Sequence, residues 1–286
     1  MLVFTKLLSF FWCSRKPWLY GLLSVVTAVF LCFGSLKPGY SFDWQDLIYR
    51  GVQILQLSTI SDEQEVTLGQ QINQQLIEGE QIKLYSNPRI NAYLNQIGQR
   101  LASNSDRPEL PYTFQVVDDK SINAFATMGG MVYIHTGLMV AADNEAELAS
   151  VVAHEIGHIV GRHALEHMRQ RALAEGLLSA TGLDQETAVQ IGVELALHLP
   201  NSRDDELEAD QLGLANLIRT GYAPVAMVTF MEKLQQQGGA TPTILSTHPA
   251  TSDRILALQQ AIDPDTADVG EGLNSQAYQK FIRSLL

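Results

Sequence analysis

Apolar residues along this chain recur at two different periods, and the switches between periods divide it into elements. From Asp43 to about Gly79 they come three and four apart, with Ile60, Val66, Leu68, Ile72 and Leu76 on one stripe, which predicts a helix with a single buried face. A second helix is expected to open at Asn87-Pro88, because asparagine suits a cap and proline a first turn, with Ile90, Leu94, Ile97 and Leu101 inward. After the loop "DRPELP" (106–111) the period drops to two. "YTFQVVDD" (112–119) alternates and is β-branched, so it predicts a strand. "INAFATMGGMVYIHTGLM" (122–139) reads as two short strands parted by Gly129-Gly130, a hairpin or bulged pair.

The longer period then returns. Asn144, with Glu147 three residues on, has the form of a capping box and predicts the start of a helix through "NEAELASVVAHEIGHIVGRH" (144–163). "ETAVQIGVELALHL" (186–199) is another helix, and Ser202 is placed to cap "RDDELEADQLGLANLIRT" (203–220), which Gly221 stops. "APVAMVTFMEKLQQQ" and "SDRILALQQAI" complete a mainly helical second half, and residues 266–286 read as a loose tail. Helices around a few short strands predict an α+β domain, mainly helical with a small antiparallel sheet, over residues 41–265.

Residues 1–40 differ from this body. Between Lys16 and Lys37 lie 20 uncharged residues, about the length a helix needs to cross a hydrocarbon core. This N-terminal hydrophobic helix is read as an uncleaved membrane anchor in preference to a cleaved signal, since no A-x-A-like site follows it. Lys6, Arg15 and Lys16 precede the run, so the positive-inside bias keeps the N-terminus cytoplasmic and places the body on the non-cytoplasmic, periplasmic or lumenal side. The 286 residues carry a net charge of −12, and the first forty contain no acid, so the body is more acidic still. Such a surface repels polyphosphate, and no nucleic-acid partner is expected. Both cysteines, Cys13 and Cys32, precede the body, so any metal there must be held by nitrogen and oxygen.

Candidate chemistry lies in "VVAHEIGHIVGRH" (151–163). His154 and His158 are four apart and stack on one helix face, where two neutral imidazoles can reach one tetrahedral Zn²⁺. Glu155 between them projects beside such an ion, where it can take a proton from water. The spacing H-E-x-x-H also arises by chance. Gly157 and Gly161 add weight, because mid-helix glycines make sense where another backbone must come close. A third ligand is offered by Glu206, and Asp210 one turn on can accept the free ring N–H of a ligating histidine. The bland alternative for that pair is an acidic, solvated helix start.

Four segments, "INAFATMGGMVYIHTGLM", "NEAELASVVAHEIGHIVGRH", "SRDDELEADQLGL" and "STHPATSDRI", together resemble, in this order, the HtpX-like zinc peptidases, a family that includes Oma-type, CAAX prenyl and BepA-like proteases. The resemblance runs from about Ser61 to Ile262. It implies a gluzincin fold with one Zn²⁺ per chain held by His154, His158 and Glu206, Glu155 as general base, and Asp210 behind the ligands. His248 matches the family's His-Pro motif, which implies either a donor to the developing oxyanion or a fourth ligand that holds the enzyme latent, whereas a turn histidine before Pro249 needs no such role. Arg254 in the same motif can pair with a site carboxylate. His135, His163, His167 and His198 read as structural or exposed. Nothing matches the C-terminal repeat domain of BepA, and one hydrophobic span stands where HtpX has several.

The expected activity is zinc-dependent hydrolysis of peptide bonds, in unfolded or misassembled proteins. An extended polypeptide would lie along a sheet edge formed by "INAFATMGG", with Asn123, Ala124, Phe125 and Gly130 as the substrate-binding residues. Two rivals remain: a metal-bound chaperone or assembly factor that holds chains and rarely cuts, and a structural zinc domain. The latter fits less well, because three ligands beside a base describe an open site.

Overall fold

The computed structural model describes residues 60–176, 183, 185–198, 200–236, 242–249 and 252–286. The anchor expected within residues 1–40, and the start of the helix expected from Asp43, lie outside the described residues. The first described helix is α1 (Asp62–Glu78). Ser61 caps it by a reciprocal exchange: its hydroxyl accepts the Gln64 N–H at 3.3 Å, and Gln64 Oε1 accepts the Ser61 N–H at 2.9 Å. The buried stripe of α1 is Glu65, Leu68, Gly69, Ile72 and Leu76, so a carboxylate stands in line with the expected apolar residues. Helix α2 (Pro88–Ala102) starts where Asn87-Pro88 predicts, with the Asn87 side chain accepting from Arg89 N and Ile90 N.

Three strands follow: β1 (Thr113–Val117), β2 (Ala124–Thr127) and β3 (Met131–His135). A single 3-10 turn at Met128–Gly130 joins β2 to β3, and Gly129 and Gly130 take φ of 74° and 92°, values that favour glycine. The spatial order is β1-β3-β2. Here the purely antiparallel expectation is corrected. β2 and β3 pair antiparallel, but β1 pairs parallel to β3, with Thr113 opposite Met131 and Val117 opposite His135. The chain leaving β1 turns back into β2, and β3 then returns between them, so the sheet is mixed. The continuous apolar run "MVYIH", buried at all five positions, is the mark of that central place.

Helices surround the sheet: α3 (Thr136–Ala141), α4 (Glu145–Val160), α5 (His163–Ala174), α6 (Gln185–His198), α7 (Arg203–Thr220), α8 (Val225–Gln236), the short α9 (Ile244–Thr247), α10 (Ser252–Ala261) and α11 (Ser275–Ile282). Every residue of α4 from Ala146 to Ile159 is buried, because α2, α7, α8 and the strands enclose it on all sides. Its cap is half of the expected box. Asn144 Oδ1 accepts the Glu147 N–H at 3.0 Å, but Glu147 accepts the Asp143 N–H and the Lys233 ammonium instead of returning to Asn144.

Residues 266–286 are not a loose tail. Tyr278 and Ile282 of α11 are buried in the main core, and the Tyr278 hydroxyl donates to Met139 O at 2.6 Å. Upstream, Gly272 O accepts the Ala146 N–H in the first turn of α4, a group the helix itself leaves unpaired. Three large apolar residues in eight (Tyr278, Phe281 and Ile282) make too short a stripe to announce this docking.

Candidate metal centre

Helices α4 and α7 cross with their backbones touching. A Cβ at Gly157 would lie 2.5 Å from Ala209 O, and one at Gly213 would lie 3.0 Å from both Ala153 O and His154 Cα. One glycine on each helix therefore removes the side chain that would hold the pair apart. The expectation for Gly157 is met. Gly161 instead follows the last turn of α4, and the space its side chain would fill belongs to the His163 ring, 2.5 Å from such a Cβ.

This close crossing brings the histidine face of α4 onto the acidic face of α7. Ser202 begins α7 with a capping box, which sets Glu206 and Asp210 one turn apart and facing α4. His154 Nε2 and His158 Nε2 are 3.1 Å apart, and Glu206 oxygens lie 3.5 Å from the first and 3.3 Å from the second. Ligands about 2.0–2.1 Å from a tetrahedral zinc stand roughly 3.3 Å from one another, so this triangle has the size that a metal requires. His248, just after α9, adds a fourth donor: its Nδ1 is 3.0 Å from Glu206 Oε1 and 3.4 Å from His154 Nε2. All four residues are buried, and each offers one donor atom within 4.8 Å of the others. The group can hold a metal ion.

The surroundings orient these donors. His154 Nδ1 lies 3.0 Å from Asp210 Oδ1, the placement expected for a carboxylate behind a ligating ring. Arg254 from α10 makes two parallel bonds to Asp210, Nε to Oδ2 and Nη2 to Oδ1, both 2.7 Å, and its Nη1 reaches Glu206 Oε2 at 2.5 Å. The ion pair foreseen for Arg254 thus exists and joins both acids of α7. Burial alone would raise the Asp210 carboxyl and favour neutral His154, yet Asp210 falls below the ordinary carboxylate value and His154 is raised to about 10, because Arg254, Asp210 and Glu206 surround them. Glu206 is likewise pulled down, against its own burial, by His248, His154 and His158. His158 moves the other way, to about 3, through burial and its neighbouring imidazoles.

Glu155 is fully buried, and neither of its carboxylate oxygens has a hydrogen-bond partner. Burial raises its pKa. A charged group in that condition is costly unless something small and polar, such as water, completes it. It lines a cleft together with Phe125, Ala126, Thr127 and Met128. Among the described residues β2 pairs only with β3, which makes it an edge strand of the sheet. Of the residues expected to bind substrate, Phe125 lines the cleft, whereas Asn123, Ala124 and Gly130 are not among its lining residues.

Sequence reasoning missed three groups. Asn201 Nδ2 donates to Glu206 Oε1 at 2.8 Å and lies 3.2 Å from His248 Nδ1, and nothing in its local sequence signals this. His163 is buried with its Nδ1 2.8 Å from His158 Nδ1. Glu65 accepts from Arg107, from Arg162 and from the Gly129 N–H, so it ties α1 to the turn of the β2–β3 hairpin and to the end of α4. Its signal was present: an acid on an otherwise apolar stripe. The remaining histidines read as expected, with His135 buried against Ser121, His167 paired to Asp205 and His198 exposed.

A helix-borne pair of imidazoles, a glutamate from a second helix and a fully buried carboxylate beside them define a metallopeptidase domain. The chain belongs to peptidase family M48, whose profile matches residues 88–262. It is 34% identical over 215 residues to the Escherichia coli (strain K12) beta-barrel assembly-enhancing protease, covering 69% of this chain and 44% of that protein. It is 35% identical over 164 residues to the Arabidopsis thaliana mitochondrial metalloendopeptidase OMA1, 56% of this chain and 33% of that one. With the Escherichia coli metalloprotease YcaL the identity is 27% over 249 residues, 84% and 96% of the two chains. The chain thus spans under half the length of the beta-barrel assembly-enhancing proteases it matches.

Proposed function

We propose that this protein is a zinc-dependent endopeptidase that cleaves unfolded or misassembled polypeptides on the non-cytoplasmic side of a membrane. The observation that carries the reading is the triangle of His154, His158 and Glu206 with the buried carboxylate of Glu155, free of hydrogen bonds and 3.6 Å from His248 Nε2, beside it. His154, His158 and Glu206 would hold the zinc, which when bound would supply Lewis-acid polarisation of water and the scissile carbonyl. Glu155 would accept the proton as water attacks and pass it to the departing amine; burial raises its pKa, which strengthens it as a base. Asp210 and Arg254 hold His154 and Glu206 in place through both steps.

Substrate would lie extended along the outer edge of β2 and bond through its main chain, which reads backbone and suits unfolded chains of varied sequence. On the far side of His154 and His248 an apolar recess lined by Met227, Phe230, Leu234 and Ile244 would receive a side chain beyond the cut. Of the two roles open to His248, the geometry favours the cap, since its Nδ1 stands where a fourth ligand belongs. In that role His248 would have to move aside for water to enter. The relatives' names, one concerned with beta-barrel assembly and one mitochondrial, and the uncharged run after Lys16 support work on proteins at a membrane. Among the described residues no helix is long and apolar enough to cross a membrane.

The closed fourth position also suits a factor that holds chains and rarely cuts. Glu155→Gln separates the two: zinc content stays, casein digestion by the purified full chain stops, and chelation stops it in the unaltered protein. Undiminished function in cells carrying Glu155→Gln would establish the holding role instead.

A further inference from the structure

The two histidines of α4 are oriented by different devices. His154 has a carboxylate at its Nδ1. His158 has another imidazole: its Nδ1 lies 2.8 Å from His163 Nδ1, with the two rings nearly perpendicular at 75° and their centres 5.0 Å apart. Local backbone makes this contact possible. Arg162 takes a left-handed φ of 57°, which ends α4 and turns the chain sharply into α5, and Gly161 leaves the room in which the His163 ring sits.

Hydrogen-bond logic then fixes where the protons are. Among the described residues the polar atoms nearest His163 Nε2 are acceptors, Glu208 Oε2 at 3.4 Å and Asp205 Oδ1 at 3.7 Å. A carboxylate cannot donate, so in the neutral ring His163 Nε2 carries the hydrogen and His163 Nδ1 keeps a lone pair. That lone pair requires His158 to donate from Nδ1. A neutral His158 that donates from Nδ1 keeps its lone pair on Nε2, the nitrogen that faces His154 Nε2 and Glu206 Oε1, where a metal would need it. The geometry points to His163 as a positioning residue that sets the tautomer of His158 and so presents its Nε2 lone pair to the metal. This deepens the zinc reading above and rests on it for the identity of the ligand, though not for the tautomer.

A packing role for the same ring makes the opposite forecast, and three substitutions separate them. In His163→Asn, Oδ1 can occupy the place of Nδ1 and accept from His158. In His163→Phe the ring remains and the acceptor is gone. His163→Gln carries its acceptor too far out, at the place of Nε2. Two readouts are taken on the full chain and each substituted chain: the His158 tautomer in metal-free protein, from long-range proton–nitrogen NMR, and the zinc dissociation constant by chelator competition. The unaltered chain and His163→Asn should show the Nδ1–H form and bind zinc within about threefold of one another. His163→Phe and His163→Gln should lose that form and bind zinc roughly 10–100-fold more weakly, the range for removing a group behind a ligand. An Nε2–H form of His158 in the unaltered chain, or His163→Phe binding zinc as well as the unaltered chain while His163→Asn does not, would overturn the assignment. An unaltered chain that takes up no zinc would instead refute the metal reading, and the nitrogen spectrum would still decide the tautomer.

Discussion

The substitution Gly157→Ala probes the step on which the whole site depends, the close crossing of α4 and α7. Its new methyl would stand 2.5 Å from Ala209 O, whereas ordinary contact begins at 3.4 Å, so the helices must part locally by roughly 0.9 Å. The matching change on the other helix, Gly213→Ala, meets Ala153 O and His154 at 3.0 Å and asks for only about 0.4 Å. Ligand distances in a metal site tolerate about 0.2 Å, so both exceed the allowance and the first exceeds it several-fold. Overpacking costs about 1–3 kcal/mol, while alanine regains about 1 kcal/mol of helix propensity over glycine. Net stability should fall by no more than about 2 kcal/mol, a few degrees in Tm. Zinc affinity should drop far more, by at least about tenfold for Gly157→Ala and by less for Gly213→Ala. Chelator competition and thermal unfolding of the metal-free proteins measure the two effects separately. Equal zinc affinity in Gly157→Ala and the unaltered chain, or a larger loss in Gly213→Ala, would show that the crossing does not set the ligand triangle.

Other consequences follow from the buried charges and the docked C-terminus. Arg254→Met keeps the length of the side chain but leaves the carboxylates of Asp210 and Glu206 buried without their cation; unfolding by urea should show a loss of about 3–5 kcal/mol, and a loss under 1 kcal/mol would refute the coupling. The folded-state pKa of Asp210 lies below its ordinary value, so the stability this group contributes is complete above the ordinary carboxylate range and disappears as pH falls through the depressed value. Asp210→Asn should accordingly flatten the fall in unfolding free energy between neutral pH and about pH 3 in metal-free protein, and an unchanged slope counts against it. Tyr278→Ala should destabilise the domain by about 3–5 kcal/mol, as for other large core truncations, whereas a loose tail would tolerate it without change in Tm.

Much of the fold was legible because local rules carried it. Asn87-Pro88 and Ser202 each mark a helix start through groups within three residues of it, and Gly221 marks a stop through its own φ of 85°. His154, Glu155 and His158 were readable together for the same reason: a spacing of four on one helix is a statement about one turn of backbone. Arg254 was only half legible, since a cation in a motif suggests a partner without saying which. The mixed sheet, the docked tail, Asn201 and His163 escaped because each is defined by a neighbour far away in sequence, or by a ring direction set by one left-handed residue.

The sequence by itself determined which side chains could serve as metal ligands and on which faces of which helices they stand, because helical periodicity and capping act over a few residues. Only the tertiary structure decided that those faces meet. The meeting depends on glycines of two helices 56 positions apart (Gly157 and Gly213) fitting against each other's backbone, and on Arg254 arriving from a third helix to hold the acids between them. Contact between distant segments is set by how the entire core packs, and no local pattern carries that information.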